Sequence, residues 1–267
     1  MKPEASRLTV GQRPRIGHDR AKAMASTGPA NQPRLSNRNA FGQQPPSHGP
    51  NLKLELSLLE RHQTIAGLDE VGRGALAGPI CVGLVCLTKK AAQKSPPPGL
   101  NDSKLLTAAQ RSVLVPAIDT WASRWTLGWA SPREIDGGGM TKALRQAAWR
   151  AIAALPAPPD QVILDGSHDW LSAGPDLFEL EAAPYYGPVT TKVKADQACA
   201  SVAAASVVAK VARDQLMSEL DATYPLYGWA ANKGYGSQGH RQALVQHGPS
   251  ILHRLSWALP APAADET

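Results

Sequence analysis

The chain has 267 residues, with 28 Lys and Arg against 22 Asp and Glu and a net charge of +6. That length supports one large domain or two small ones with a proper core. Eight of the basic residues and two of the acids fall in residues 1–50, leaving 20 of each sign beyond them, so the positive charge belongs to the N-terminal segment and gives no reason to expect a basic face on the folded part.

Residues 1–50 are rich in Pro, Gly, Asn, Gln, Ser and Arg without a sustained apolar period, which predicts a disordered tail. Leu52 to Leu59 is a short amphipathic piece leading into the stretch that organises the chain, Thr64 to Leu87. There an apolar run, Ile65 to Leu68, stops at adjacent carboxylates, Asp69 and Glu70; Gly72-Arg73-Gly74 turns the chain, and a second apolar run covers Ile80 to Leu87. The pattern predicts strand, charged turn, strand. A helix is expected from Thr107 to about Asp119 and a strand over Trp125 to Ala130. Ser131-Pro132-Arg133-Glu134 has the form of a capping box with proline in the first helical position. The glycines at 137–139 interrupt the chain, Thr141 to Leu155 reads as a helix, and a Pro-rich stretch ends it. Gln161 to Leu164, ending at Asp165, and Val189 to Lys194, ending near Asp196, read as short strands. The helical pattern from Ala198 to about Ala222 is small or apolar nearly all round in its first half, as a buried helix is. A glycine-rich loop, NKGYGSQGHRQAL, then enters a last helix. Antiparallel strands first, then strands alternating with helices, predict a mixed α/β sheet.

Cys81, Cys86 and Cys199 lie in apolar or small-residue runs without a CxxC pair, consistent with buried free thiols in a reducing compartment. No apolar run reaches the length of a membrane span and no signal-peptide core follows the N-terminus, so a soluble cytoplasmic protein without a membrane partner is expected.

Three of the strands end in acids: Asp69-Glu70, Asp165 and Asp196. Ligand sites of open α/β sheets lie at such strand ends. Four carboxylates gathered there need protons or divalent cations to offset their repulsion. Oxygen-only donors suit Mg2+ or Mn2+ better than zinc, and two such ions could act on a phosphodiester. Consecutive residues of a regular strand face opposite ways, so for both Asp69 and Glu70 to serve one site the strand must bend or bulge at Glu70. Asp196, just ahead of the long helix, is expected to be stabilised by that helix's positive end.

LDEVGRGALAGP, NDSKLL, ILDG, KADQACASVAAASVVAKVARD and NKGYGSQGHRQAL, in this order, resemble the motif series of ribonuclease HII over most of residues 64–257. The resemblance implies a ribonuclease H-like five-stranded mixed sheet flanked by helices, with a small helical C-terminal part. It implies a metal-dependent endoribonuclease that cleaves the RNA strand of RNA–DNA hybrids and nicks DNA at embedded ribonucleotides, leaving 5′-phosphate and 3′-hydroxyl ends. On this reading Asp69, Glu70, Asp165 and Asp196 are the catalytic, metal-binding set. Gly72, Arg73 and Gly74 read the RNA–DNA junction, Tyr235 sits against the following sugar, and Lys104 lies near the substrate phosphates. Ser206, Lys210 and Arg213 fall in a matching helix with roles that are largely structural. The division expected is a disordered basic extension over 1–60, a catalytic core over 61–222 and a substrate-contacting segment over 223–267, acting as a monomer. Val71, Ala195, Ser237 and Trp257 depart mildly from the family pattern, and none of them is one of the four acids.

Two other classes are weighed. A binding protein of the same fold that has lost catalysis is disfavoured by retention of all four acids. The sister ribonuclease HIII carries a folded N-terminal domain that the composition here does not suggest. The glycines at 72, 74 and 78 are spaced GxGxxxG behind two acids and do not fit a dinucleotide loop. Ser167-His168-Asp169 reads as a polar loop rather than a triad.

Overall fold

The structure, a computed structural model, describes residues 49–172, 185 and 187–261. Most of the segment expected to be disordered therefore lies outside the described residues.

Five strands form one mixed sheet in the order β3-β2-β1-β4-β5: β1 (Thr64–Val71), β2 (Ile80–Thr88), β3 (Arg124–Ala130), β4 (Gln161–Asp165) and β5 (Val189–Lys192). β1, β2 and β3 pair antiparallel in sequence, whereas β4 joins β1 and β5 joins β4 in parallel. The C-terminal ends of β1, β4 and β5 consequently share one edge. This is the mixed sheet the sequence predicts.

The pleat sorts side chains to two cores. Ala66, Leu68, Ile80, Val82, Leu84 and Leu164 pack against α4 (Pro132–Ala153), and Ile65, Val85, Leu87 and Ile163 against α6 (Ala200–Asp221). α6 lies close because β1 and β2 present Gly67 and Gly83 to it; a β-carbon on either would come within 2.5 Å of its backbone. Dense packing at that distance explains the run of alanines on α6.

Local chemistry sets the helix ends. α1 (Lys53–Leu59) precedes the sheet and α2 (Lys89–Ala92) follows β2. α3 (Ala108–Trp121) opens on a reciprocal Thr107–Gln110 capping box, and α4 on the Ser131–Glu134 box read from the sequence. Gly139, at φ 77°, breaks α4 internally where the glycine run predicts an interruption. α5 (Ala195–Ala198) is cut from α6 by extended backbone at Cys199. α7 (Trp229–Asn232) and α8 (Gln238–His247) complete the C-terminal part, where Met217, Tyr227, Trp229, Ala243 and Leu244 form a third apolar cluster.

The expected extension over 1–60 reaches too far at its C-terminal end. Leu59 is buried and Leu54 and Leu58 pack against the α6-side core. Asn51 pairs with Ala198 and Ala200 through its backbone, and the buried Glu55 accepts from the Ser201 amide and hydroxyl, both at 2.9 Å. No helix among the described residues is long and apolar enough to cross a membrane.

Candidate active site

The topology brings all four predicted acids to one sheet edge: Asp69 and Glu70 on β1, Asp165 closing β4, and Asp196 in α5 just past β5. Their charges act on one another. Asp69 is buried, and burial followed by the neighbouring Glu70 charge pushes its carboxyl up to about 8; Asp165 adds to the rise, while Ser206 and Lys104 oppose it. Burial also raises Glu70, which Arg73 at 3.4 Å counters and Asp165 reinforces. Asp196 is raised by burial, then by Asp165 and Asp102, with Lys104 pulling it back. Asp165 accepts from the Ala195 amide at 2.6 Å, which ties the end of β4 to the turn that carries Asp196.

The bulge expected at Glu70 does not form. The β1–β2 register runs unbroken through Asp69↔Gly83, Glu70↔Val82 and Val71↔Cys81. Regular pleating leaves Asp69 on the α6 side and Glu70 on the other. β1 stops pairing with β4 at Leu68↔Leu164, so both acids project from a strand end free of β4. Accordingly, no three His, Cys, Asp or Glu side chains among the described residues close around a common point as metal ligands. The donor chemistry still fits a hard cation: oxygen-only and crowded, with Asp69, Glu70 and Asp196 raised by burial first and by neighbouring carboxylates after it.

A second expectation is corrected at Asp196. The N-terminus of α6 is taken by Glu55, through the Ser201 amide, and Cys199 separates α5 from it. The charge that meets Asp196 is Lys104, at 3.4 Å; the same ammonium lies 4.0 Å from Asp102. Burial works against the Lys104 charge, but Asp102, Asp69 and Asp196 hold its pKa above the ordinary value. Lys104 therefore sits over the acids with most of its side chain exposed to solvent.

Sequence reasoning passed over the residues that hold this lysine. Asp102 is buried, caps the single helical turn Ser103–Leu105 through the Lys104 amide and accepts from Gln197 at 3.3 Å. Ser103 and Ser206 share a 2.7 Å hydroxyl contact beneath Asp69, which gives Ser206 a place in the site as well as in α6. Asp102 and Ser103 carry no signal beyond membership of the NDSK motif, whereas Ser206 is one of the three residues that the matching helix marks.

The glycine loop and Tyr235 come together around Arg213. Gly72 adopts φ 93°, and a β-carbon there would lie 2.2 Å from Arg213 Nε, so both the turn and the packing require glycine. Arg73 is exposed and contacts Glu70 at 3.4 Å. The half-buried Tyr235 ring lies 5.4 Å from the Arg213 guanidinium and 5.8 Å from the Lys210 ammonium. Leu76 and Ala77 donate to the Gly234 carbonyl, joining the two loops.

The family model for ribonuclease HII matches residues 66–259. The chain is 48% identical over 215 residues to ribonuclease HII of Streptomyces avermitilis, covering 80% of this chain and 84% of that protein. It is 47% identical over 215 residues to the Streptomyces coelicolor protein of that name, with the same coverage. Among solved structures, ribonuclease H2 of Pyrococcus horikoshii superposes with a TM-score of 0.58 at 26% identity, over 73% of this chain and 94% of that one.

Proposed function

The chain belongs to the ribonuclease HII family and is a ribonuclease H type endonuclease acting on RNA–DNA hybrids, and we propose that it also nicks DNA at single embedded ribonucleotides, leaving 5′-phosphate and 3′-hydroxyl ends. The observation that carries the reading is the continuity of the site. The acidic edge meets Arg73 through Glu70, and the loop bearing Arg73 rests on the same Arg213 guanidinium that underlies Tyr235.

Asp69, Glu70, Asp165 and Asp196 would hold two divalent cations, Mg2+ or Mn2+, which would supply activation of water and charge neutralisation at the leaving 3′-oxygen. The proton held by the raised carboxyl of Asp69 leaves when that group becomes a ligand, so loading is favoured by higher pH. Lys104, exposed above Asp196, offers its ammonium to a substrate phosphate. The Arg73 guanidinium and the amides of the glycine loop can only donate, so they meet the lone pairs of a 2′-hydroxyl, the group that distinguishes RNA from DNA. The Tyr235 ring packs on the adjoining sugar.

The test is digestion of a DNA duplex containing one ribonucleotide, with and without magnesium, followed by phosphatase treatment to identify the ends. The proposal requires magnesium-dependent nicking that leaves a phosphatase-sensitive 5′ end. A 2′,3′-cyclic phosphate or metal-independent cleavage would contradict it.

A further inference from the structure

Two guanidiniums, Arg213 and Arg254, are fully buried, and among the described residues neither forms an ion pair with a carboxylate. They are spent on main-chain carbonyls. Arg213 donates to Pro79 (2.9 Å), Lys233 (2.9 Å) and Ala77 (3.1 Å); Arg254 donates to Gly72 (2.5 Å), Arg73 (2.8 Å) and Gly78 (3.2 Å). Burying a charge this way is costly, and an apolar side chain could fill the volume. The geometry of the loop gives the reason. In a trans peptide the carbonyl of one residue and the amide of the next point in opposite directions. When Arg254 draws the carbonyls of Gly72 and Arg73 inward, the amides of Arg73 and Gly74 turn outward. Neither amide donates to an acceptor among the described residues, and both residues are exposed.

The preceding residue acts on Tyr235. The buried His253 accepts from the Ser250 amide on Nδ1 (2.9 Å), so its proton is on Nε2, facing His240 Nε2 at 3.0 Å. His240 in turn donates from Nδ1 to the Tyr235 carbonyl at 2.9 Å. Each ring nitrogen has one consistent role when both imidazoles are neutral. Adjacent residues of one segment thus grip the two elements assigned to the substrate. Asp136 of α4 fixes that segment from outside, accepting from the amides of Leu255 (2.9 Å) and Ser256 (3.0 Å) and from the Ser256 hydroxyl (2.7 Å).

We propose that Arg254, together with His253 acting through His240, is a positioning unit. It presents the Arg73 and Gly74 amides and Tyr235 in one fixed relation, so that the C-terminal segment sets selectivity for a lone ribonucleotide without touching it. This rests on the reading of the loop and Tyr235 given above.

The experiment compares kcat and KM for the full-length wild type, Arg254→Lys and Asp136→Ala on two substrates: a DNA duplex with one ribonucleotide and a continuous RNA–DNA hybrid. Lysine keeps the charge but cannot span the Gly72 and Arg73 carbonyls as a fork. For Arg254→Lys, kcat/KM on the single ribonucleotide should fall about tenfold, chiefly through KM, with less than about threefold loss on the hybrid, the scale of a lost charged hydrogen bond. Asp136→Ala replaces no buried residue but frees the Leu255–Ser256 end of the gripping segment and so loosens the grip; circular dichroism should be unchanged and the ratio between substrates should shift about threefold in the same direction, on the scale of a weaker neutral bond. Parallel losses on both substrates for Arg254→Lys, or an unaltered ratio for Asp136→Ala, would overturn the inference and leave the proposed function standing. Failure of the wild type itself to nick would remove both.

Discussion

Replacing Asp69 by Asn separates catalysis from stability. The carboxyl is raised from 3.8 to about 8, by burial first and the Glu70 charge second. At pH 7 the unfolded chain carries Asp69 ionised, while the metal-free folded protein holds it protonated. Taking up that proton costs up to about 4 kcal/mol at pH 7, at about 1.4 kcal/mol per unit between 3.8 and 7. Asparagine avoids the cost and keeps an oxygen to accept the Glu70 amide, now at 2.9 Å. Asp69→Asn should therefore stabilise the metal-free protein by about 1–4 kcal/mol at pH 7, a rise of roughly 2–16 °C in Tm for a domain of this size. A carboxyl with a raised folded pKa stabilises fully below its unfolded value and loses that contribution as pH climbs through the folded one. The mutant's advantage should accordingly vanish near pH 4 and grow up to about pH 8. Thermal unfolding in chelator across this range measures it, alongside turnover at saturating magnesium, which should be largely lost while hybrid binding persists. A mutant less stable than wild type at pH 7, or a pH-independent gain, would refute the electrostatic account. Near-normal turnover would refute the metal assignment.

Tyr235→Ala should cut single-ribonucleotide nicking by about tenfold or more and Tyr235→Phe much less, since the ring supplies a stacking surface worth about 1–3 kcal/mol; wild-type nicking by the alanine variant would make Tyr235 a packing residue only. Burial, then His240, lowers His253 to about 4 from 6.5, so its neutral form favours the folded state above pH 6.5 and that contribution is lost as pH falls through 4. Wild type should lose up to about 3 kcal/mol over this window and His253→Gln less, by denaturant unfolding at each pH; equal slopes would contradict a buried neutral imidazole. Deleting residues 1–50, which carry eight basic residues, should shallow the salt dependence of nucleic-acid binding and leave the cleavage rate at saturating substrate unchanged; an unchanged salt slope would rule out contact by that segment.

The strands and the acids that end them were legible because hydrophobic runs stopping at charge are local patterns. So were two features of α4, the Ser131 capping box and the internal break at Gly139. What escaped depended on partners remote in sequence. Glu55 looks like the wet face of a short amphipathic piece, yet its carboxylate meets Ser201, 146 residues away. A structural role for Arg213 was legible from its helix motif, but its partners and those of Arg254 were not, because they are carbonyls, which every residue carries and no motif marks. The expected bulge at Glu70 came from requiring two adjacent acids to share one face. The strand keeps its register and ends its β4 pairing early instead, leaving each acid on its own side of the edge.

The central claim is that the Gly72–Gly74 loop and Tyr235 register one 2′-hydroxyl beside a catalytic acidic edge. Two duplexes identical except for that single hydroxyl, incubated with the full-length protein and magnesium, test it most directly. The account predicts a nick at the ribonucleotide in one duplex and none in the other. Equal cleavage of both, or of neither while a continuous RNA–DNA hybrid is degraded, would contradict it.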